Sequence, residues 1–250
     1  MFKKMNNSLF YYKENYFGPV LLNATTLANF AVSQELMEEL LTFHNLFVND
    51  KYVEYVDAFY REGLKRFGKY WSYMDIINVL FAASKLVKPT NYLEIGVRRG
   101  RSLCTVVRGN PDVNVYAFDM WLSNYAGMDN PGPDFVLNEL KINGHRGQVS
   151  FVNGNSHETI PQFFKENPEL NFDLITVDGD HSEEGALKDL LNVIPRLNVG
   201  GVIVFDDISH PAHLYLYDVW KKVLNEFPEL SSIEFVESGY GIAFAIKKGE

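Results

Sequence analysis

Two short acidic segments carry the residue types best suited to catalysis. Residues 178–181 read Asp-Gly-Asp-His and follow the apolar run Phe172–Val177, while Asp206 and Asp207 follow the apolar run Val202–Phe205. Such runs are typical of buried parallel strands, and the residues just past their carboxyl ends line the active-site rim of an open α/β sheet. Carboxylates gathered at this rim repel one another and lose hydration, so a bound cation or a shared proton is needed to stabilise them.

A divalent metal ion bound by oxygen ligands is the simplest partner for such a cluster. His181 lies three residues after Asp178, and an imidazole with an ordinary pKa near ~6.5 is suited to accept a proton there. The structural alternative is that Asp178 caps the next helix, Asp206 accepts hydrogen bonds from loop amides and Asp207 is solvated. The residues alone leave both interpretations open.

The overall composition argues against several classes of function. The chain has 250 residues, a formal net charge of −9 and one cysteine, Cys104. Nucleic-acid binding needs clustered Lys and Arg, so we expect no nucleic-acid partner. A single cysteine cannot form an internal disulfide, which is typical of a reducing compartment, and we interpret Cys104 as a small buried residue.

Hydropathy gives no indication of a membrane partner. No apolar stretch approaches the ~18 residues of a membrane span. Near the start of the chain, Lys13 and Glu14 interrupt the apolar residues too early for a signal peptide. We therefore predict a cytoplasmic protein.

The first part of the chain differs in composition from the rest. It is rich in Tyr and Phe, and apolar residues recur at helical spacing over Ser33–Val48 and Lys51–Phe67. We predict a helical N-terminal cap over residues 1–70 and a main domain over residues 71–250. The aromatic side chains of the cap are expected to pack in the core or in a homo-oligomer interface rather than to line a substrate entrance.

From Tyr73 onward, apolar runs alternate with segments of helical periodicity. Strands are predicted at 92–95, 113–118, 149–152, 172–177, 202–205, 232–236 and 242–246, and helices at 74–87, 101–107, 134–142, 158–167, 183–194 and 214–225. This alternation predicts a doubly wound α/β fold with a mostly parallel sheet covered on both faces. The last two strands lack an intervening helix, so we expect an antiparallel hairpin at the C-terminus.

The first of these strands runs into a turn with two glycines. From Glu94 the sequence reads Glu-Ile-Gly-Val-Arg-Arg-Gly, in which Gly96 allows the backbone to approach a ligand and Gly100 allows the next helix to pack closely. A carboxylate before the turn disfavours a pyrophosphate and favours a cationic ligand. Asp119 ends the next strand, 23 residues after Gly96, near the offset at which an acid binds a ribose diol. The structural alternatives are a solvated acid at Glu94 and a helix N-cap at Asp119.

Together these segments resemble class I S-adenosylmethionine-dependent methyltransferases. The resemblance runs from about residue 73 to the end and is carried by residues 94–100 (EIGVRRG), 116–121 (YAFDMW), 154–156 (GNS), 172–182 (FDLITVDGDHS) and 200–207 (GGVIVFDD). The last two segments are similar to those of metal-dependent O-methyltransferases that act on macrolide and aminocoumarin sugars, with the catechol type more distant. The resemblance implies a Rossmann-like sheet of seven strands in the order 3-2-1-4-5-7-6.

The resemblance also implies which residues bind the cofactor. The expected site for S-adenosyl-L-methionine comprises Glu94, Gly96, Gly100, Asp119, Trp121, Asn155, Ser156 and Asp178. Glu94 and Gly96 are expected at the methionine part and Asp119 at the ribose. The adenine is expected beside Trp121 and the 155–156 segment, although Asn155 stands where an acid is common.

The chemistry implied by the resemblance is a metal-assisted methyl transfer. Asp178, Asp206 and Asp207 match the ligands of Mg²⁺ or another divalent cation, which binds an acceptor diol and lowers its pKa. His181 falls at the position of the proposed base and, with Asp178, forms the expected catalytic pair. The acceptor is expected to be a small hydroxylated molecule such as a sugar or a polyketide glycoside.

Two other classes of function remain possible from the residues. A nicotinamide-dependent oxidoreductase agrees with the strand order and with Asp119, but it disagrees with the glycine spacing and with Glu94. A non-catalytic cofactor-binding scaffold would use the aromatic N-terminal segment as its interaction surface. The set of rim carboxylates argues against the scaffold, because a cluster of like charges without a role costs stability.

Overall fold

The structure is a computed structural model that describes residues 20–249, except residues 45, 125, 126 and 128. The interpretation of Lys13 and Glu14 falls outside this range. Among the described residues, every helix is too short or too polar to cross a bilayer.

Three helices of the described chain lie before residue 70: α1 (Ala24–Ala31), α2 (Gln34–His44) and α3 (Lys51–Phe67). Helix α3 has the predicted bounds, whereas the helix predicted over residues 33–48 ends at His44. Helix α1 is an addition to the predicted elements, and Asn23 caps it by accepting the N–H of Thr26.

The remaining elements follow the predicted alternation closely. They are α4 (Ile76–Val87), β1 (Asn91–Ile95), α5 (Arg101–Gly109), β2 (Asn114–Asp119), α6 (Pro133–Ile142), β3 (Val149–Asn153), α7 (Ser156–Glu166), β4 (Phe172–Val177), α8 (Glu183–Val193), β5 (Leu197–Asp206), α9 (Tyr215–Glu226), β6 (Leu230–Phe235) and β7 (Ile242–Lys247). Strand β5 begins five residues earlier than the predicted 202–205 run, because it continues through the pair of glycines at 200 and 201.

The described strands form one seven-stranded sheet in the order β3-β2-β1-β4-β5-β7-β6. Strands β1 to β5 pair in parallel with their neighbours, and Leu93 of β1 lies between Tyr116 of β2 and Ile175 of β4. Strand β7 is antiparallel to both β5 and β6. The predicted fold class, the strand order and the C-terminal antiparallel hairpin are therefore confirmed.

Buried apolar residues form a cluster on each face of the sheet. Helices α1 to α6 pack on one face, where Tyr60 and Phe81 are almost inaccessible, and helices α7 to α9 pack on the other around Trp220. Cys104 of α5 is buried in the first cluster, and burial raises the pKa of its thiol, which is in keeping with a packing role. Because α1 to α3 share this cluster with α4 and α5, the boundary near residue 70 stays a prediction.

Asp50 fixes the start of α3 against the glycine turn. Its Oδ1 accepts the N–H groups of Tyr52 and Val53 at 2.9 and 3.0 Å, and its Oδ2 forms ion pairs with Arg99 at 3.1 Å and with Arg101. Burial alone raises the pKa of Asp50, but these N–H groups and guanidinium groups outweigh it and hold that pKa below its ordinary value. Arg99 therefore extends from the turn toward α3, and the N-terminal helices form a wall beside the turn.

The carboxyl ends of β1, β2, β4 and β5 meet at one edge of the sheet, because these strands are parallel. At this edge three non-glycine residues adopt a positive φ: Arg98 at 49°, Trp121 at 53° and Asp207 at 60°. Such conformations cost about 1 kcal/mol or more each and concentrate at functional sites. The edge is therefore the first place to look for chemistry.

Candidate active site

Gly96 shapes the crevice between β1 and β4. Its φ is +88°, and a Cβ atom added to it would lie 1.9 Å from the main-chain carbonyl oxygen of Asp178. The amide of Asp178 in turn donates to the carbonyl of Ile95 at 2.9 Å. In this structure, the glycine is required because the chain leaving β4 passes directly against the turn. The turn and the acidic segment 178–181 are thus a single packed unit.

Gly100 begins helix α5 with a φ of +71°. A Cβ atom there would lie 2.7 Å from Cγ1 of Val136 on α6. The glycine therefore allows α6 to approach the N-terminus of α5, where main-chain N–H groups point toward the crevice.

Asp119 organises the turn from the end of β2. Its Oδ2 accepts the N–H groups of Val97 and Arg98, both at 2.8 Å, and its Oδ1 accepts the N–H of Trp121 at 2.5 Å. A carboxylate has about four acceptor positions. The side-chain amide of Asn130 lies 3.5 Å from the same Oδ1, a long contact that a ribose hydroxyl would have to replace. The three main-chain donors hold the carboxylate in place before any ligand binds.

The expected adenine contacts lie at the ends of β2 and β3. The indole N–H of Trp121 donates to Oδ1 of Asn153 at 2.7 Å, and its ring packs edge-on against Phe151. Asn155 uses its side-chain oxygen to cap α7 through the N–H of His157 at 3.0 Å. Ser156 is the first residue of α7. Asn155 is thus engaged locally, and its contact with adenine stays a prediction.

Glu94 lies beneath the turn with its side chain fully buried. One of its oxygens accepts the hydroxyl of Ser102 at 2.6 Å, and the other accepts the hydroxyl of Tyr92, which also lies 2.8 Å from Thr176 Oγ1. Burial raises the pKa of Glu94 to about 8, although both hydroxyl groups oppose the rise. The carboxyl group supports the turn from inside the sheet, and its expected contact with the methionine part of a cofactor stays a prediction.

Glu94 should therefore make folding stability depend on pH. A carboxyl group with a raised pKa retains its proton in the folded state where the unfolded state has released it, so stability falls as pH rises from about 4.5 to about 8. The contribution is about 1.4 kcal/mol per pH unit within that window. We expect the Glu94→Gln variant to lose this slope in urea denaturation between pH 5 and pH 8. An unchanged slope, equal to that of the exposed control Glu158→Gln, would contradict the assignment.

Asp178, His181 and Asp207 come together at the ends of β4 and β5. One potential ligand atom from each lies within 4.8 Å of those from the other two. Nε2 of His181 is 3.4 Å from Oδ1 of Asp178 and 3.3 Å from Oδ2 of Asp207. Burial alone lowers the pKa of His181, but the two carboxylates outweigh it and raise that pKa to about 11. Without a metal ion, the imidazolium is the cation that stabilises this cluster.

Asp206 is the predicted metal ligand that stands apart from this group. It is the last residue of β5 and pairs with Ile242 of β7, whereas Asp207 leaves the strand with its positive φ. Burial, followed by the charges of Asp178 and Asp207, raises the pKa of Asp206 well above its ordinary range. The structure thus gathers Asp178 and Asp207 with His181 and places Asp206 within electrostatic reach of them.

The loop after Asp207 brings further imidazole rings to the site. The ring of His213 stacks on that of His181 with 5.4 Å between centroids, and His210 contacts both His213 and Tyr240. Tyr215 donates its hydroxyl to the carbonyl of His181 at 2.7 Å. The loop between β5 and α9 therefore braces His181 from the side away from the glycine turn.

Tyr52 of α3 is a site residue that the sequence reasoning missed. Its ring lies under the Arg101 guanidinium at 4.8 Å. Burial raises the pKa of Tyr52, and the charges of Asp75, Asp206 and Asp178 raise it further. The phenol is thus near enough to the rim acids to feel their charge, while its ring packs on Arg101 and remains partly exposed. The only sequence signal was its place two residues after the N-cap Asp50, which does not reveal which way the helix packs.

The donor chemistry fits a hard divalent cation. Asp178 and Asp207 can each offer a carboxylate oxygen, and Mg²⁺ is commonly held by one or two carboxylates with water completing its octahedron. Burial and neighbouring carboxylates raise the pKa of Asp178 and of Asp206. A bound cation would favour the ionised form of both groups. The carboxylate of Asp119, fixed by main-chain donors of the turn and contacted on Oδ1 only loosely by Asn130, likewise fits a ribose diol.

Comparison with known families identifies part of the chain. Residues 93–208 match the model of a family described as a methyltransferase domain. This stretch begins in β1 and ends just after Asp207, so it contains the glycine turn and both acidic segments. No curated protein sequence matches the chain significantly.

Solved structures share the fold over most of the chain. A TDP-rhamnose 3'-O-methyltransferase of calicheamicin biosynthesis has a TM-score of 0.54 and 20% identity, covering 85% of this chain and 93% of its own. The O-methyltransferase TomG of Streptomyces achromogenes, in complex with SAM, has a TM-score of 0.55 and 16% identity, covering 81% and 92%. An O-methyltransferase from Bacillus cereus in complex with SAH has a TM-score of 0.51 and 16% identity, covering 85% and 90%.

These likenesses establish the fold, and residues 93–208 are similar to a methyltransferase domain. The resemblance to class I methyltransferases that the sequence predicted is confirmed. Neither the oxidoreductase nor the scaffold alternative gains support from the comparisons.

Proposed function

We propose that the methyltransferase domain of this chain transfers a methyl group from S-adenosylmethionine to a hydroxyl of a small molecule, with the help of a divalent cation. The observation that carries the proposal is the convergence of Asp178, His181 and Asp207 beside the glycine turn that Asp119 organises. A hydroxyl group is a poor nucleophile unless it loses its proton, and this arrangement offers both a cation site and a base.

The chain supplies positioning and proton transfer. Asp178 and Asp207 would hold the cation on the acceptor side of the crevice. The pKa of His181 would be lowered by the cation's charge, so that the neutral imidazole could accept at Nε2 the proton that the acceptor hydroxyl releases. The same carboxylates stabilise the imidazolium that forms. Asp119 and the turn would hold the nucleoside and position it relative to the acceptor. Transfer would form the O–CH₃ bond, break the S–CH₃ bond and release S-adenosylhomocysteine. When bound, the cation would lower the pKa of the acceptor hydroxyl, and the sulfonium would supply the methyl group.

The acceptor is expected between the N-terminal helices and the β5–α9 loop. Tyr52 stands on one side of the crevice, and His210, His213 and Tyr240 stand on the other. The structural neighbours include a TDP-rhamnose 3'-O-methyltransferase and an O-methyltransferase of tomaymycin synthesis. These support a small hydroxylated natural-product-like acceptor here. A cytoplasmic location and a homo-oligomer formed through the aromatic N-terminal segment stay predictions.

Isothermal titration calorimetry with S-adenosylmethionine tests the proposal. We expect saturable binding with a dissociation constant between about 1 μM and 1 mM, and no binding of NADH under the same conditions. A panel of vicinal diols and catechols, assayed with radiolabelled methyl donor, should then give transfer that a chelator abolishes. No heat at saturating S-adenosylmethionine would remove the proposed function, whereas NADH binding would favour the oxidoreductase.

A further inference from the structure

We propose that His157 is a positioning residue that couples cofactor binding to cation binding, by bracing the acidic 178–181 segment against the β3–α7 turn through Asp180 and Asp189. The inference rests on the proposed function, because it concerns the two ligands of that site. None of these three side chains is part of the cation group formed by Asp178, His181 and Asp207.

We call His157, Asp180 and Asp189 the brace, and Asp189 is its most buried member. It lies on α8, its side chain is fully buried, and neither carboxylate oxygen makes a hydrogen bond of good geometry. A buried, unpaired carboxylate is strongly destabilising unless a nearby charge compensates for it. The Ser156 hydroxyl and the main-chain amide of Asp180 favour the ionised form of Asp189. Nε2 of His157 lies 3.6 Å from Oδ1 of Asp189, so the imidazole is one of the groups that compensate for its burial.

His157 reaches the acidic segment as well. The same Nε2 atom is 3.8 Å from Oδ2 of Asp180, and it is itself buried without a good hydrogen bond. The carboxylate of Asp180 is held in place by the start of α8, because it accepts the N–H of Ser182 at 2.8 Å and packs against Gly185. A Cβ atom at Gly185 would lie 2.0 Å from Oδ2 of Asp180, so only glycine leaves that carboxylate in its place.

The backbone places His157 beside the expected cofactor contacts and Asp180 beside the expected cation ligands. His157 follows Asn155 and Ser156, which are the expected adenine contacts, and Asn155 caps the turn of helix that carries His157. Asp180 lies between Asp178 and His181 in sequence. A nucleoside that orders the β3–α7 turn therefore orders His157, and through Asp180 it orders the segment that supplies a cation ligand. Coupling of this kind is reciprocal and is typically ~5- to ~150-fold in affinity.

Calorimetric titration of the full chain with Mg²⁺, with and without saturating S-adenosylhomocysteine, measures the coupling directly. Because S-adenosylhomocysteine carries no sulfonium charge, it adds no direct repulsion toward the cation. We expect the dissociation constant for Mg²⁺ to fall by about fivefold or more when S-adenosylhomocysteine is present. In His157→Leu the ratio should return to one, while His157→Gln, whose amide can donate from nearly the same place, should retain part of it.

Two further variants separate coupling from folding. Gly185→Ala should displace Asp180 while favouring helix α8, so it should lose the coupling without a loss of thermal stability. Glu158→Gln, an exposed acid beside His157, should keep the wild-type ratio. If both ligands bind wild-type protein independently, or if coupling persists in His157→Leu, the inference is wrong. Failure of either ligand to bind would instead overturn the proposed function together with it.

Discussion

Asp207→Asn should lower kcat by about 100-fold or more at saturating Mg²⁺ and S-adenosylmethionine. The substitution keeps the shape of the side chain but removes one of the two carboxylates in the group with His181. Cation assistance contributes several kcal/mol to such reactions, and each 1.4 kcal/mol corresponds to about tenfold in rate. Measured without Mg²⁺, the affinity for S-adenosylhomocysteine should change by less than about threefold, because the nucleoside contacts lie at Asp119 and the α5 N-terminus.

The comparison with an acid outside the site makes this result interpretable. Asp112 is exposed and pairs with Arg146 on the surface, so Asp112→Asn should leave kcat unchanged. Retention of full kcat in Asp207→Asn, with the same response to a chelator as wild-type protein, would show that Asp207 takes no part in cation binding. A fall in S-adenosylhomocysteine affinity to the same extent as kcat would instead indicate a damaged fold.

Gly96→Ala should destabilise the protein by about 4 kcal/mol or more. A side chain at a φ of +88° costs ~1 kcal/mol or more, and the new Cβ atom would lie 1.9 Å from the carbonyl oxygen of Asp178. That oxygen belongs to the main chain at the end of a central strand, so it cannot rotate away, and overpacking of this kind adds ~1–3 kcal/mol or more. Typical domains are stable by only ~5–15 kcal/mol, so the variant should be largely unfolded on mild heating.

Gly144→Ala is the matched control for this prediction. Gly144 has a φ of +86° but no atom within 4 Å of the added Cβ, so it isolates the cost of the backbone conformation. Urea denaturation should show a loss of about 1 kcal/mol for Gly144→Ala and a loss several times larger for Gly96→Ala. Equal losses would mean that the chain leaving β4 can move away from the turn, and the packed unit of turn and acidic segment would not exist as described.

The secondary elements from residue 73 onward could be predicted because local pattern and tertiary environment agree there. Strand β4, for example, has the predicted bounds Phe172–Val177, since a run of six buried residues suits a central parallel strand. Helix α1 lacked such a signal: it is eight residues long and alanine-rich, and it depends on packing against α4 and the β6–β7 hairpin. A segment that short shows too few turns of apolar spacing for its period to be recognised.

The candidate site was predictable in its residue types but not in its geometry. The order of parallel strands brings Asp178 and Asp207 to one edge, and this follows from topology alone. The positive φ of Asp207, which turns it toward His181 while Asp206 remains in the sheet, is a property of the folded loop that no spacing rule contains. Likewise, Tyr52 comes near Asp178 and Asp206 through the packing of α3, although both acids lie more than 100 residues away in sequence.

The claim on which the account depends is that the rim acids bind a cation beside a nucleoside. A crystal of the protein grown with S-adenosylhomocysteine and Mn²⁺, measured for anomalous scattering, tests it most directly. The account predicts an anomalous peak bonded to carboxylate oxygens of both Asp178 and Asp207, with the ribose hydroxyls at Asp119. A cation peak elsewhere, or a nucleoside bound away from the glycine turn, would contradict it.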